Sequence, residues 1–347
     1  MVENPNEIAR VSQVFERGNW LSLTDTVQPS TPKILNPFKE EWPENRLGLS
    51  KWLVSKENPL TARTLVNRVW HQIFGRGIVA SLEDMGTQSD PPSHPDLLDW
   101  LSLRFMNEQQ WGTKALIKEI VMSGAYRQSS KVTPELYQKD PYNQLYALGP
   151  RIRLTAEQIR DQALAISGLL SKKMYGPSVM PPQPDGVWQS VYNNAAWVES
   201  EGNDKYRRAI YTYLKRTSPY PSFITFDAGS REVCTIRRTV TNTPLKALVT
   251  LNDPVYLEAA FAFAKSMDMD DVEKGISSGF KKATLSEIDP EELKVLMNLY
   301  DQAMVELSVG ELKENFMGLD ERPTVKLGSL TIVANAIMNL DKFLTKV

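Results

Sequence analysis

The sequence predicts a mainly α fold: an irregular multi-helix domain with long loops and at most a small strand element. Three observations carry that expectation. Cap residues followed by proline or by a capping box recur along the chain, each opening an apolar stripe of helical period. The best strand candidate is a single short run, Ala209-Ile-Tyr-Thr-Tyr-Leu214, which is β-branched and aromatic. With 347 residues, 41% of them hydrophobic and 24% charged, the chain has the composition of a globular protein with a sizeable core, which excludes wholesale disorder.

Residues 1–45 hold Pro29, Pro32, Pro37 and Pro43 and show weak periodicity. Proline fixes φ and removes a backbone donor, so the segment reads as an extended N-terminal arm. Phe15, Trp20, Leu35 and Trp42 argue that it packs on the domain rather than trailing as a solvated linker. Residues 46–347 then read as a single helical domain.

Asn58-Pro59 supplies a cap and an early proline for the first clear helix. Its apolar side is Leu65, Val66, Val69, Trp70, Ile73 and Phe74, and Gly75-Arg-Gly77 ends it. The opposite side, with Asn67, Arg68, His71 and Gln72, meets either water or a polar seam elsewhere in the molecule. Ser93-His94-Pro95-Asp96 reads as a capping box that opens a second helix, with His94 at the first helical position and on the surface. A third helix is expected from Thr113 to Ser123. Thr155-Ala-Glu-Gln158 is another capping box, with Leu154 and Ile159 placed as a hydrophobic staple. Thr243-Pro244, Asp253-Pro254 and Asp289-Pro290 open three more helices, and a last one is expected from about Ser329 to Leu344. Between Gly176 and Gly202 lies a long irregular segment carrying four prolines and Trp188, Tyr192 and Trp197.

Charge and residue counts exclude several functions. The formal charge is −2, with 40 basic and 42 acidic side chains, so nucleic-acid binding by bulk electrostatics is not expected. One cysteine, Cys234, rules out an internal disulfide and any paired-cysteine zinc site, and it reads as a buried structural thiol. With two histidines, no metal site is expected. There is no membrane-spanning apolar run and no signal peptide in this chain. Metalloprotease, nucleophile-elbow, dinucleotide and phosphate-loop motifs are all missing.

Charge is nevertheless uneven. Residues 203–246 carry nine basic against three acidic side chains, whereas 266–325 carry 14 acidic and six basic. Arginine offers a planar fork for carboxylate, sulfate or phosphate, and it also staples loops and pairs with internal acids. The candidate polar network is Arg68, Asp84, Asp227, Arg237, Arg238, Asn242 and Asp253, expected to line one buried region or cleft beside the helix starts at Thr243 and Asp253. Trp188, Tyr192 and Trp197 are the candidate stacking surface for a sugar. Catalytic residues cannot be assigned from these patterns.

Several motifs occur in a fixed order: Asn67-Arg-Val-Trp70, Phe74-Gly-Arg-Gly-Ile-Val79, Asp84-Met-Gly86 and Pro92-Ser-His-Pro-Asp-Leu-Leu-Asp-Trp-Leu101. Ser123-Gly-Ala-Tyr-Arg-Gln128, Arg153-Leu-Thr-Ala-Glu157, Ile159-Arg-Asp161, Phe226-Asp-Ala228, Thr241-Asn-Thr-Pro-Leu245 and Leu251-Asn-Asp-Pro254 follow. In this combination the chain resembles the C-terminal domain of unknown function of planctomycete-type secreted, cytochrome-c-like multidomain proteins. Lys246 and Gly229 stand where that pattern has glutamine and proline. The resemblance implies a periplasmic or secreted location, other domains or chains of a cytochrome-like system as partners, and no established activity. Haem would sit on a partner domain, because no Cys-x-x-Cys-His occurs here and no cofactor is expected within this chain. The resulting expectation is an accessory module of an extracytoplasmic system. Its rival is a hydrolase or oxidoreductase acting on an acidic, sulfated or uronic polysaccharide, so enzyme status stays open at this point.

Overall fold

The computed structural model describes residues 11–17, 19–184, 186, 196–309 and 322–346. Among them are 13 α-helices and two small two-stranded sheets, so the fold is mainly α with little strand. The chain divides into two compact units, residues 1–150 and 151–347, each with its own core. The sequence reading drew its boundary at 45/46 instead. Caps and stripes tell where a helix starts and which face is apolar, but not which core receives that face.

The first unit begins with a hairpin of β1 (Ser12–Glu16) and β2 (Asn19–Val27), with Phe15 opposite Leu23 and a register irregularity on either side of that pair. This part of the expected extended arm is therefore sheet, and it lies open: Trp20 is 75% exposed. Further along, the arm packs at Asn36, Phe38 and Pro43, while Ile34 is 93% exposed. Trp52 donates its indole N–H to the Asn36 carbonyl at 2.7 Å, from α1 (Arg46–Leu53). Gly48 on α1 lies against the Pro43 carbonyl and the Phe38 ring, where an added Cβ would fall 1.9 Å from the Pro43 oxygen.

Helix α2 (Thr61–Phe74) is opened by Asn58, whose Oδ1 accepts from the Leu60 and Thr61 amides, and it closes on Gly75 at φ 78°. Helices α3 (Pro95–Asn107), α4 (Thr113–Met122) and α5 (Pro134–Lys139) follow. Val66, Trp70 and Phe74 of α2 pack with Leu98, Leu101 and Phe105 of α3 and with Leu116 and Ile120 of α4. Asn67, on the supposed polar side of α2, is fully buried and holds Val79 through both its amide atoms, at 2.9 and 3.0 Å. The capping box expected at Ser93 does not form. His94 takes the N-cap position without a side-chain bond to the helix amides, its ring nitrogen Nδ1 lying 3.0 Å from the Ser93 hydroxyl, and that hydroxyl donates to the Ile78 carbonyl, a nonlocal acceptor that the local pattern could not reveal.

The second unit starts with β3 (Ile152–Arg153), paired antiparallel with β4 (Thr345–Lys346). Helix α6 (Ala156–Ser167) carries the expected capping box of Thr155 and Gln158. The run 209–214, read as a strand, is instead a 3-10 turn at Ala209–Tyr211 followed by a single parallel bridge from Thr212 to Val179. Its β-branched residues meet one short irregular partner, so no ladder can extend.

Helices α7 (Pro221–Thr225), α8 (Pro244–Asn252), α9 (Pro254–Lys265), α10 (Val272–Thr284), α11 (Pro290–Val309), α12 (Val325–Met338) and α13 (Asp341–Leu344) complete the unit. The last expected helix is thus two, parted at Asn339-Leu340. Helices α9 and α12 are apolar nearly all round, which suits a central helix covered on several sides. Ala259, Ala260 and Ala264 admit α6, α8 and α12 closely, while Tyr256, Phe261 and Phe263 fill the space between.

Candidate functional site

Arg68 and Asp84 belong to the first unit, and both are exposed. Asp84 shapes a turn: its carboxylate accepts from the Gly86 amide at 2.7 Å, and its own amide donates to the Ser81 hydroxyl at 3.0 Å. The other five candidates belong to the second unit. There the structure sorts them into a pinned surface loop and a buried cluster.

The loop runs from the end of α7 to the first turn of α8. Asp227 has left-handed backbone, φ 60°, a conformation that costs a non-glycine residue about 1 kcal/mol or more. Its carboxylate accepts from the Thr241 amide at 2.9 Å, the Thr241 hydroxyl at 2.8 Å and the Lys246 ammonium at 2.5 Å. Burial opposes ionisation of Asp227, but these donors outweigh it and hold the carboxyl below its ordinary range. Lys246 is 2% exposed and also donates to the Thr241 carbonyl. Arg238 forks Glu157, in the first turn of α6, at 2.7 and 2.8 Å. Burial would raise the Glu157 pKa, yet the guanidinium bonds prevail and lower it. Asn242 accepts from Arg153 at 3.3 Å. Arg237 is exposed and forms none of these bonds.

Asp253 stands apart from that set. It is 4% exposed and caps α9, accepting from the Val255 amide at 3.0 Å. Burial pushes its carboxyl up to about 6, against that amide and the charge of Arg160. Arg160, on α6 and 1% exposed, spends its two terminal nitrogens on the Lys205 and Arg207 carbonyls, each at 2.8 Å. Tyr256 is buried with its hydroxyl unpartnered, and burial followed by the Asp253 charge drives its pKa well up. Tyr220 donates to the Pro182 carbonyl at 2.5 Å.

Arg207, which the sequence reading passed over, is also 1% exposed. It donates to the Tyr175 and Pro177 carbonyls and lies 3.7 Å from the Tyr211 ring centre. A signal for Arg160 did exist: it lies on the same stripe as Ile159, Ala163 and Leu164, where an arginine must find internal acceptors. Lys246 offered a weaker one, as a departure from the resembled pattern inside a first helical turn.

Of the stacking candidates, Trp188 and Tyr192 lie outside the described residues. Trp197 faces inward: its ring stacks on Tyr220 at 5.8 Å, and its indole N–H donates to the Pro181 carbonyl at 2.8 Å. Cys234, expected to be buried, is exposed, because it sits in the loop that these polar bonds hold at the surface. Among the described residues, no group of three or more His, Cys, Asp or Glu side chains is arranged to hold a metal ion. Nor is any helix among them long and apolar enough to cross a membrane.

The arrangement immobilises backbone. Arg238 is engaged by the Glu157 carboxylate and Arg160 by two carbonyls, so these two forks close loops onto α6, while Arg207 ties its own segment to the Tyr175 and Pro177 carbonyls. Residues 45–300 match the family model described as PSD1, protein of unknown function (DUF1553). The chain belongs to this family. The match takes in α1 to α10, the pinned loop and the Asp253 cluster of this PSD1 chain, and stops within α11. No curated protein and no solved structure matches it.

Proposed function

We propose that this PSD1 chain is a non-catalytic accessory module of an extracytoplasmic multidomain system, with haem carried by a cytochrome-type partner domain. One observation carries the non-catalytic part. The charged groups that a binding or catalytic reading would need are engaged internally, Arg238 by Glu157, Asp227 by Lys246, and Arg160 by two carbonyls. The ordered motifs that resemble the secreted cytochrome-c-like proteins support the setting. The rival reading, chemistry on an acidic polysaccharide, draws no support from Trp197, whose ring is spent on Tyr220 and Pro181.

The test is product analysis on sulfated and uronic polymers, run beside co-expression with a haem-attachment system. The module reading expects no product, no covalent haem spectrum, and an Arg238→Ala variant altered only in stability. Product formation that Arg238→Lys abolishes without changing the melting temperature would overturn it.

A further inference from the structure

Helix α8 is turned inside out. Wound at about 100° per residue, Leu245, Leu248 and Leu251 form one stripe, and Lys246 and Thr250 lie opposite. The stripe faces water: Leu245 is 62% exposed, Leu248 53% and Leu251 37%. Lys246 and Thr250 face the core, at 2% and 0%. A surface helix ordinarily does the reverse.

The inversion is fixed in place. Lys246 donates to the Asp227 carboxylate and to the Thr241 carbonyl, each at 2.5 Å. One turn further along, the Thr250 hydroxyl donates to Asn339 Oδ1 at 2.7 Å, and the Thr250 carbonyl accepts from Asn335 Nδ2 at 2.9 Å. Rolling α8 to bury its leucines would strip a buried ammonium and a buried threonine of these partners. The leucines therefore stay outside until another surface comes to them.

Two features of the face fit a second copy of the chain. The first is charge. Lys246 is the only ionisable side chain of α8, it points inward and is paired with Asp227, and Asn252 completes the outer face. A two-fold axis that lays α8 against its copy thus opposes no like charges. Run across the helix at Leu248, that axis makes the pair antiparallel. The amide end of each helix, where Thr243 supplies no side-chain cap, then lies toward the carbonyl end of the other, with the helix dipoles opposed.

The second feature is area. Three leucines at these exposures offer on the order of 270 Å² of apolar surface per copy, or about 550 Å² in a pair. At the apolar share usual for interfaces, that corresponds to about 1,000 Å² in all, the lower bound for specific association. Helix α7, packed beside α8 with Ile224 56% exposed, comes in addition.

We propose that α8 is the interface of a weak symmetric dimer of this chain, with Leu248 of one copy meeting Leu248 of the other at the two-fold axis. The inference is independent of whether the chain is catalytic.

The experiment is sedimentation velocity on the full chain carrying Cys234→Ser, so that no disulfide contributes. Reversible dimerisation is expected, with a dissociation constant of about 10–100 µM for an interface of this size. Leu248→Glu and Leu248→Lys, each on the outer face and clear of the Lys246 clamp, should separately weaken it at least about tenfold with the melting temperature unchanged. Mixing the two variants should restore a heterodimer, because opposite charges then meet on the axis; a folding defect would not be repaired by mixing. A chain that stays monomeric up to about 500 µM would assign the face to a different partner and overturn the proposal. So would a dimer that survives Leu248→Glu, or folded Glu and Lys variants that remain monomeric when mixed.

Discussion

Asp227 and Asp253 lie in the same unit, each beside a buried cation, yet their carboxyls are driven in opposite directions. Asp227 receives three hydrogen bonds, one of them from the Lys246 ammonium itself. Among the described residues the Asp253 carboxylate accepts from the Val255 amide alone, while the nearby Arg160 gives its terminal nitrogens to carbonyls. A neighbouring positive charge is therefore not what decides. The ionised form wins only where the donors point at the carboxylate; elsewhere burial wins.

The largest effect is expected from breaking the first member of the pair. Lys246→Met leaves Asp227 without its ammonium and should cost about 3 kcal/mol, the low end for a buried pair that loses one partner. For a unit of this size that is a fall of roughly 6–12 °C in melting temperature. Adding Asp227→Asn to the same chain should recover part of the loss. A calorimetric double-mutant cycle reads both, and additive losses would show that the two side chains do not act together.

Sharpening the contrast at the second member should have the opposite sign. Asp253 carries a folded pKa of about 6 against an ordinary 3.8, so between those values the folded state holds the extra proton. Stability then falls as pH rises through that window, by at most about 3 kcal/mol for a shift of this size. Asp253→Asn keeps a good N-cap and removes the charge, so it should stabilise the protein at pH 7 by about 2–3 kcal/mol. It should also flatten this part of the pH profile, as denaturant titrations from pH 4 to pH 7 would show. Asp227 and Glu157, both lowered, contribute the other way: their stabilisation is lost as pH drops below the ordinary carboxylate range.

A smaller effect is expected at Arg238. Its fork to Glu157 is partly exposed, so Arg238→Ala should cost about 1–2 kcal/mol. The readout is hydrogen exchange, with faster exchange expected at the Thr241 amide, which the pinned loop presents to Asp227. Smallest of all, Arg68→Ala on the exposed face of α2 should change stability by no more than about 0.5 kcal/mol.

What the sequence disclosed follows from the range of the interactions involved. Thr155, Asp253 and Asp289 are legible because a cap bonds to amides two or three residues away. Asp227, Arg238 and Asn242 were legible as polar residues but not as a loop clamp, since Asp227 finds its donors 14 and 19 residues on, at Thr241 and Lys246, and Glu157 and Arg153 reach Arg238 and Asn242 from α6 and β3. Arg160 and Arg207 escaped notice because their acceptors are backbone carbonyls, which every residue carries and no sequence pattern marks. The hairpin was missed although Leu21, Leu23 and Val27 alternate with Ser22, Thr24 and Thr26, because prolines further along the arm suggested extended chain throughout. The opposite error at 209–214 came from β-forming residues whose strand-type pairing, among the described residues, is a single bridge at Val179.

The most direct test is a carboxyl-carbon NMR titration that follows Asp227 and Asp253 in one sample. Asp253 is expected to titrate near pH 6 and Asp227 below the ordinary carboxylate range, with Lys246→Met moving Asp227 upward and leaving Asp253 in place. If both carboxyls instead titrate together near the ordinary value, and neither responds to Lys246→Met, the account of a pinned loop beside a buried acid is wrong.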